Sequence, residues 1–450
     1  MFIPATGQGA IEVTGPGDEA APERFDALVL GAGISGLVAA SILLEQGCRR
    51  ILVVDEYAHV GGNHIDRTIG DYTFDIGSFI FQDDSPLLRH FPELLAEYVP
   101  IDPSWGRLNP QGVVTPYPLS PKIDIFQAGP VEWCRILASL VISRLFRRRL
   151  NNAHDFARYW IGARFLHRSG LEGYMKRFYG QPPERIDIRF AEQRMGWIKQ
   201  QALLKTHIRR FLKPAAFAPT NTQLARPPGG FAQLYRPAVA RLEDAGVRFR
   251  LGAQLRSLRK AGGGFQLQAD GRAFNAARVV STIPLEHINR LCGVNSGEPL
   301  QSVTLISLFF SFAGERKFPQ SILYNFSYDG AWKRLTVYSD FYGRSQGREY
   351  FAVEVNADHV AGSVESAEND FRRHVAANRL LQGDLRLEGS HVQANAYPVY
   401  TDNAHGRVEG MIAALRAYGI ESIGRQGRFD YQPTARDSTL KAEAALRTPA

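Results

Sequence analysis

The stretch from Phe25 to Glu56 reads FDALVLGAGISGLVAASILLEQGCRRILVVDE. Ala27–Leu30 is a short apolar run of strand character. Gly31-Ala32-Gly33-Ile34-Ser35-Gly36 follows without a break, and Leu37–Gln46 carries the small and apolar residues of a buried helix. Ile51–Val54 is a second apolar strand, closed by Asp55-Glu56. Strand, glycine turn, helix, strand and acid, in this order, predict a Rossmann βαβ unit. Gly31 permits the tight turn, Gly33 lets a pyrophosphate approach the backbone at the positive end of the helix, and Gly36 lets the helix lie close to the sheet. Ser35 sits inside the same turn. Glu56, just past the second strand, is placed to accept hydrogen bonds from a ribose hydroxyl.

Outward from this unit, Val60-Gly61-Gly62-Asn63 offers a second close backbone approach to a bound group, and Asp75-Ile76-Gly77-Ser78-Phe79 follows. The middle of the chain changes character. Tyr117 lies in the Pro-rich loop Pro116-Tyr117-Pro118-Leu119, and Ala128–Leu212 reads as mostly helical. After Pro227-Pro228-Gly229-Gly230-Phe231 comes a helix over Leu234–Glu243. Strands are then expected at Val247–Leu251, Gln254–Leu258, Phe265–Ala269 and Val279–Thr282, with a hairpin turn at Asp270-Gly271. Val303–Phe312 and Tyr350–Asn356 add strands for a second lobe. Gly424-Arg425-Gln426-Gly427-Arg428-Phe429-Asp430-Tyr431 precedes a last helix, Leu440–Leu446, for which Asp437 or Ser438 is a candidate cap.

The 450 residues are too many for one ordinary domain, and 44% hydrophobic with 22% charged residues is the balance of a globular chain. Three scattered cysteines form neither a disulfide framework nor a metal cluster, which points to a reducing, cytoplasmic setting and no metal. The net charge of +8 is spread along the chain, with clusters at Arg147–Arg149 and Arg209–Arg210, and is read as a solvated surface with no nucleic-acid partner. Residues 1–24 read as a flexible leader without a signal peptide. No apolar run reaches the roughly 18 residues of a membrane span. Ile136–Phe146, followed by Arg147–Arg149, is expected to pack into a domain; a helix on a membrane surface is the other reading of that segment. The motifs of zinc proteases and serine hydrolases are missing from the sequence.

Taken in order, Gly31–Gly36, Glu56, Val60–Asn63, Asp75–Phe81, Pro227–Phe231, Val279–Pro284 and Gly424–Tyr431 resemble the flavin amine oxidase and protoporphyrinogen oxidase superfamily. Within it they are most similar to the branch near UDP-galactopyranose mutase. The resemblance runs from about Phe25 to Leu446. It implies FAD as cofactor and an α/β fold: a Rossmann-like FAD-binding domain with a substrate domain of antiparallel sheet plus helical insertion. The expected divisions are 25–115, 220–300 and 405–450 for the discontinuous FAD-binding domain, 116–219 for the insertion and 301–404 for the substrate-domain sheet.

The same resemblance implies site residues. Gly31, Gly33 and Gly36 would meet the pyrophosphate and Glu56 the adenosine ribose. Gly61, Gly62 and Asn63 would lie on the flavin side, Val247 or a neighbour on its strand beside the adenine, and Arg425 against the flavin. On the substrate side, Phe79 stands where the mutases carry a histidine in a Gly-x-His motif. Tyr431 stands at a phosphate-binding tyrosine, and Arg194 or its neighbour near a diphosphate arginine. Phe318–Tyr338 is similar instead to the oxidoreductase branch, with Arg334 as candidate substrate or flavin contact. The expected activity is an FAD-dependent oxidoreductase passing hydride from a polar, sugar- or nucleotide-bearing small molecule to flavin N5. A redox-neutral sugar-nucleotide mutase is the alternative, and a flavoprotein fold kept as a scaffold a third. Oligomeric state and electron acceptor stay open.

Overall fold

The computed structural model of the chain describes residues 22–77, 79–119, 124, 129–146, 149–202, 221–294, 298–401 and 403–447, without the side chains of 194, 197 and 200–202. Residues 1–21 of the expected leader, Ser78 and the Arg209–Arg210 cluster therefore lie outside the described residues, as does the far end of the insertion; Glu23 and Arg24, also counted in the leader, are part of the first strand.

Glu23–Leu30 (β1) and Ile51–Asp55 (β2) do not alternate: Ala27–Leu30 and the whole of β2 are buried. Strands of this kind belong in a parallel sheet covered on both faces. β1 pairs in parallel with β2, and β2 in parallel with Val247–Leu251 (β3). Leu255–Ala261 (β4), Gly264–Ala269 (β5) and Arg272–Ser281 (β6) form an antiparallel run, and β6 returns parallel to β1. The order is β3-β2-β1-β6-β5-β4, with Glu421–Ser422 added in parallel beside β6. Asp270 and Gly271, at φ 49° and 72°, are the left-handed pair that the two-residue turn between β5 and β6 requires.

Ile34–Glu45 (α1) has no polar face in its first two turns, and residues Ile34 to Ala40 are all buried. Such a helix must be covered on both sides. The sheet covers one side and the C-terminal helix Ala435–Arg447 the other, where Gln46 Nε2 donates to Leu446 O at 2.8 Å. That last helix starts earlier than its apolar pattern suggested. Thr434 Oγ1 accepts the Asp437 amide at 3.1 Å, so Thr434 is the cap, and Asp437 and Ser438 lie within the first turn.

The second sheet runs in the order Leu381–Pro398, Ser302–Arg316, Glu349–Asn356, Trp332–Val337, Ile322–Asn325, Trp105–Leu108, Val114–Pro116. Its last two strands come from a stretch that the sequence reading placed in the FAD-binding lobe. Trp105–Leu108 pairs in parallel with Ile322–Asn325, and a partner so far along the chain leaves no local sign. Between the lobes' strands lie Pro130–Phe146 (α2), Ala153–Ile161 (α3), Ala163–Arg168 (α4), Leu171–Tyr179 (α5) and Ile188–Ala202 (α6). α5 lies over the second sheet: Tyr174 stacks on Phe326 at 4.4 Å and Phe178 on Tyr397 at 5.0 Å. Among the described residues no helix is long and apolar enough to cross a membrane.

One buried ion pair ties the strand Tyr72–Ile76 to the Pro227–Phe231 turn. The fully buried Arg226 donates through Nε to Asp75 and through its other nitrogens to Thr73 O at 3.0 Å and Pro227 O at 2.9 Å. Its guanidinium also lies over the Tyr342 ring at 4.7 Å. Removing one partner of such a pair leaves an uncompensated buried charge, which costs about 3–5 kcal/mol. Arg226→Met is expected to lose that much in urea denaturation, and the double variant Asp75→Asn/Arg226→Met to regain part of it.

Candidate functional site

The glycine turn leaves the amino end of α1 open. Its cap residue, Gly33, makes no side-chain cap bond, and no acidic residue lies in its first turn. Asp55 accepts the Ala32 amide at 2.6 Å and the Tyr57 amide at 2.8 Å, which holds the turn against the end of β2. Gly61 donates to Ala32 O at 3.0 Å, and Gly33 forms a parallel bridge with Gly61. A Cβ on Gly33 would sit 3.5 Å from Gly62 Cα, so two side-chain-free loops face each other. This is a cradle for an anionic group at a helix N-terminus. On Gly36 a Cβ would stand 1.9 Å from Gly31 O, so here the constraint is packing within the turn itself.

The C-terminal segment presses on the same turn. Gly424, at φ 79°, lies so close to Ser35 that a Cβ would approach its Oγ to 2.7 Å. Next to it Arg425 Nη2 donates to Ala396 O, and Gln426 Nε2 to Asn395 O at 2.9 Å. The Leu381–Pro398 strand is thereby drawn to the Gly61-Gly62-Asn63 loop, and its Gln393 Nε2 donates to Asn63 Oδ1 at 3.4 Å. His64 follows Asn63. Its ring stacks on Phe231 at 5.3 Å and hydrogen-bonds the Tyr235 hydroxyl. Burial, with Arg425 adding to it, pushes the His64 imidazole down to about 3.

The opposite wall is charged. Arg334 donates to Gly77 O at 2.5 Å and to Glu354 Oε1 at 2.5 Å. Lys333 Nζ lies 3.0 Å from Glu354 Oε2, 3.4 Å from the Tyr397 hydroxyl and over the Tyr397 ring at 4.9 Å. Burial alone would raise the Glu354 carboxyl; Arg334 and Lys333 outweigh it and hold it below the usual carboxylate range. Two cations thus share one buried carboxylate, and Arg334 Nε has no hydrogen-bond partner among the described residues. Tyr431 meets Phe178 edge-on at 6.4 Å, and Phe178 in turn stacks on Tyr397.

These contacts join Gly31, Gly33, Ser35, Gly36, Gly61, Gly62, Asn63, Arg334, Arg425 and Tyr431 into one region. Tyr117 belongs to its edge, stacked on Tyr324 at 4.2 Å. Other candidates fall elsewhere. Phe79 is a core residue, packed on Tyr338 at 5.7 Å and Phe341 at 5.5 Å. Val247 pairs with Ile51 at the amino end of its strand, whereas Leu251 at the carboxyl end pairs with Asp55 beside the glycine turn. Glu56 is exposed and lies 3.2 Å from His287 Nδ1; the acid turned into the turn is Asp55. The Arg194 side chain lies outside the described residues, although its neighbour Gln193 reaches Tyr431 O at 3.4 Å. Sequence reasoning sets His64 aside as a structural or surface residue, because it carries no partner spacing, and gives no role to Lys333, Glu354 and Tyr397, which lie in ordinary strand patterns.

The nucleotide cradle, the cationic wall and the two lobes define a flavoprotein of the two-domain oxidoreductase type. Residues 29–94 match the family model described as NAD(P)-binding Rossmann-like domain, and residues 152–364 that described as flavin containing amine oxidoreductase. The matched middle of the chain is of the flavin-containing amine oxidoreductase family, and the cofactor is FAD. It is similar in fold to reduced UDP-galactopyranose mutase, with a TM-score of 0.74 and 17% identity over 94% of both chains. Prolycopene isomerase 2, chloroplastic, of an Oncidium hybrid cultivar is 42% identical over 72 residues, which is 15% of this chain and only 12% of the isomerase. UDP-galactopyranose mutase of Mycoplasma genitalium is 49% identical over 43 residues, 10% of each chain.

Two measurements probe the region. Gly33 has an ordinary negative φ, and an alanine there meets nothing closer than 3.5 Å. Gly33→Ala is expected to keep its circular dichroism and melting temperature while flavin affinity falls about tenfold or more. Stability is the second. The His64 imidazole is held down to about 3 and that of the buried His374 to about 4, below the ordinary 6.5. The unfolded chain therefore takes up these protons first, and stability is lost as pH falls below about 6.5. From pH 7 to 5 each histidine is expected to cost about 2 kcal/mol in denaturant titrations, and His64→Phe to remove its share.

Proposed function

We propose that the chain is an FAD-dependent oxidoreductase whose substrate is a polar small molecule carrying electron-rich oxygen groups, of the sugar or nucleotide-sugar class. The observation that carries this reading is the buried Lys333–Glu354–Arg334 cluster, two cations against one carboxylate, reaching the Gly77 peptide beside the glycine loops. When bound, FAD supplies the hydride acceptor. Every other contribution comes from the protein's own side chains and backbone. Gly31, Gly33, Ser35 and Gly36 would cradle the pyrophosphate at the amino end of α1, with Asp55 bracing the turn. Gly61, Gly62, Asn63 and Arg425 bound the flavin side.

The excess positive charge of the cluster favours the electron-rich, reduced state of a neighbouring group, which makes the oxidised flavin a better acceptor. Arg334 and Lys333 also orient substrate oxygens, and Tyr431 presents an aromatic face and a hydroxyl to a sugar. Phe178 packs against both Tyr397 and Tyr431. Orientation and a dry, charged environment are what hydride transfer asks of a protein.

A second reading, a redox-neutral mutase working on a nucleotide sugar, is supported by the fold likeness to UDP-galactopyranose mutase and by the Asn63 and Tyr431 motifs. Anaerobic visible spectra before and after adding UDP-galactose and related nucleotide sugars separate the two. Bleaching of the flavin bands by a sugar is the expected result. Unchanged bands, with pyranose-to-furanose conversion by the dithionite-reduced protein, would select the mutase instead. Lys333→Met, which leaves Glu354 paired with Arg334, is expected to make the flavin harder to reduce and to slow substrate-driven bleaching about tenfold or more, with the fold intact.

A further inference from the structure

α2 is built the wrong way round for a surface helix. Its inward side carries Ile136, Ser139, Leu140 and Ser143, and of these only Ile136 and Ser143 are buried. Ser139 Oγ accepts the Arg164 amide at 3.0 Å, which seats the helix on α4. The outward side carries Val131, Cys134, Leu137, Val141, Ile142 and Leu145, at the spacing of one helical face. Val131, Val141, Ile142, Leu145 and the following Phe146 are each between 55% and 80% exposed. A helix that faces water normally turns its apolar stripe to the core; this one turns it away.

The surroundings are basic. Arg135, Arg144 and Arg149 are exposed along the helix and just past it, and Arg164 is exposed beside it on α4. The sequence there runs Arg147-Arg148-Arg149, and the whole chain carries a net charge of +8. The helix has one acidic residue, Glu132, which is engaged by Arg164 at 2.5 Å.

We propose that the outer face of α2 docks on an anionic phospholipid surface, with the helix lying in the plane of the headgroups. Valine, leucine, isoleucine and phenylalanine side chains enter the acyl boundary, and the arginines at its margin meet lipid phosphates. The 17-residue helix is attached to α3 and α4 along its other side, so it lies on the bilayer and does not span it. A second copy of the chain fits this face less well, because a two-fold pairing would set Arg135, Arg144 and Arg149 against a like-charged set. Docking here turns the helical insertion toward the membrane. α5 and α6 of that insertion supply Phe178 and Gln193 to the candidate site.

The test is co-sedimentation of the full-length, flavin-loaded protein with phosphatidylcholine vesicles with and without phosphatidylglycerol, at low and high salt. The expected result is binding to the anionic vesicles, weaker at high salt and much weaker to pure phosphatidylcholine. Val141→Glu/Ile142→Glu changes two exposed positions; it is expected to reduce partitioning about tenfold or more with circular dichroism and melting temperature unchanged. Arg149→Glu is expected to weaken binding to the anionic vesicles selectively. Wild-type protein left in the supernatant with anionic vesicles overturns the proposal, and so does a Val141→Glu/Ile142→Glu variant that binds as well as wild type. If sedimentation equilibrium shows self-association that the same double substitution abolishes, without vesicle binding, the face belongs to a second copy and the proposal fails.

Discussion

The structure depends on a place where three backbones meet closely, each through glycine. The turn Gly31–Gly36, the loop Gly61-Gly62 and the returning Gly424 all reach the amino end of α1. The helix dipole and its unpaired amides make that point attractive to an anion, but only if the backbone can be approached. Each glycine removes an obstacle that any Cβ would present, either to the neighbouring loop or to the group the loops enclose. The surrounding elements are arranged to keep this end of the helix in register: β1 and β2 beneath, Asp55 holding the turn, and the C-terminal helix over α1.

Buried charge joins the two lobes at the same region. Arg226 holds Asp75, and two residues further along, Gly77 offers its carbonyl to Arg334 on the second sheet. Glu354 then holds Arg334 and Lys333 together. Most of these groups are buried, so each position is over-determined by partners, and the loss of one member is felt across the cluster. That rigidity suits a site whose work is orientation and electrostatics. The relatives of similar fold bear names from both redox and isomerising chemistry, and the fold alone does not choose between them.

Much of the first lobe was legible because its signals are local. A glycine turn between a strand and an apolar helix can be read within about a dozen residues, and the Asp270-Gly271 hairpin within two. Phe79 shows the limit of reading by motif: it occupies a recognisable position, yet packs on Tyr338 and Phe341, because an aromatic side chain beside a core is stabilised by burial there. Glu56 and Asp55 show another. Strand alternation decides which of two adjacent acids points into the turn, and a shift of one residue reverses the answer.

The sequence by itself determined the Rossmann unit, its glycine loops, the family and so the cofactor, and the segment Gly424–Tyr431 that returns to them. These follow from backbone requirements that only certain residue types satisfy at certain spacings. Only the tertiary structure decided that Trp105–Leu108 and Val114–Pro116 join the second sheet, and that Lys333 and Arg334 share Glu354. It also decided that the apolar face of α2 looks outward. Those features rest on pairings between residues far apart in the chain, and whether a side chain meets a partner, the core or solvent is settled by packing, which a linear pattern of residue types does not record.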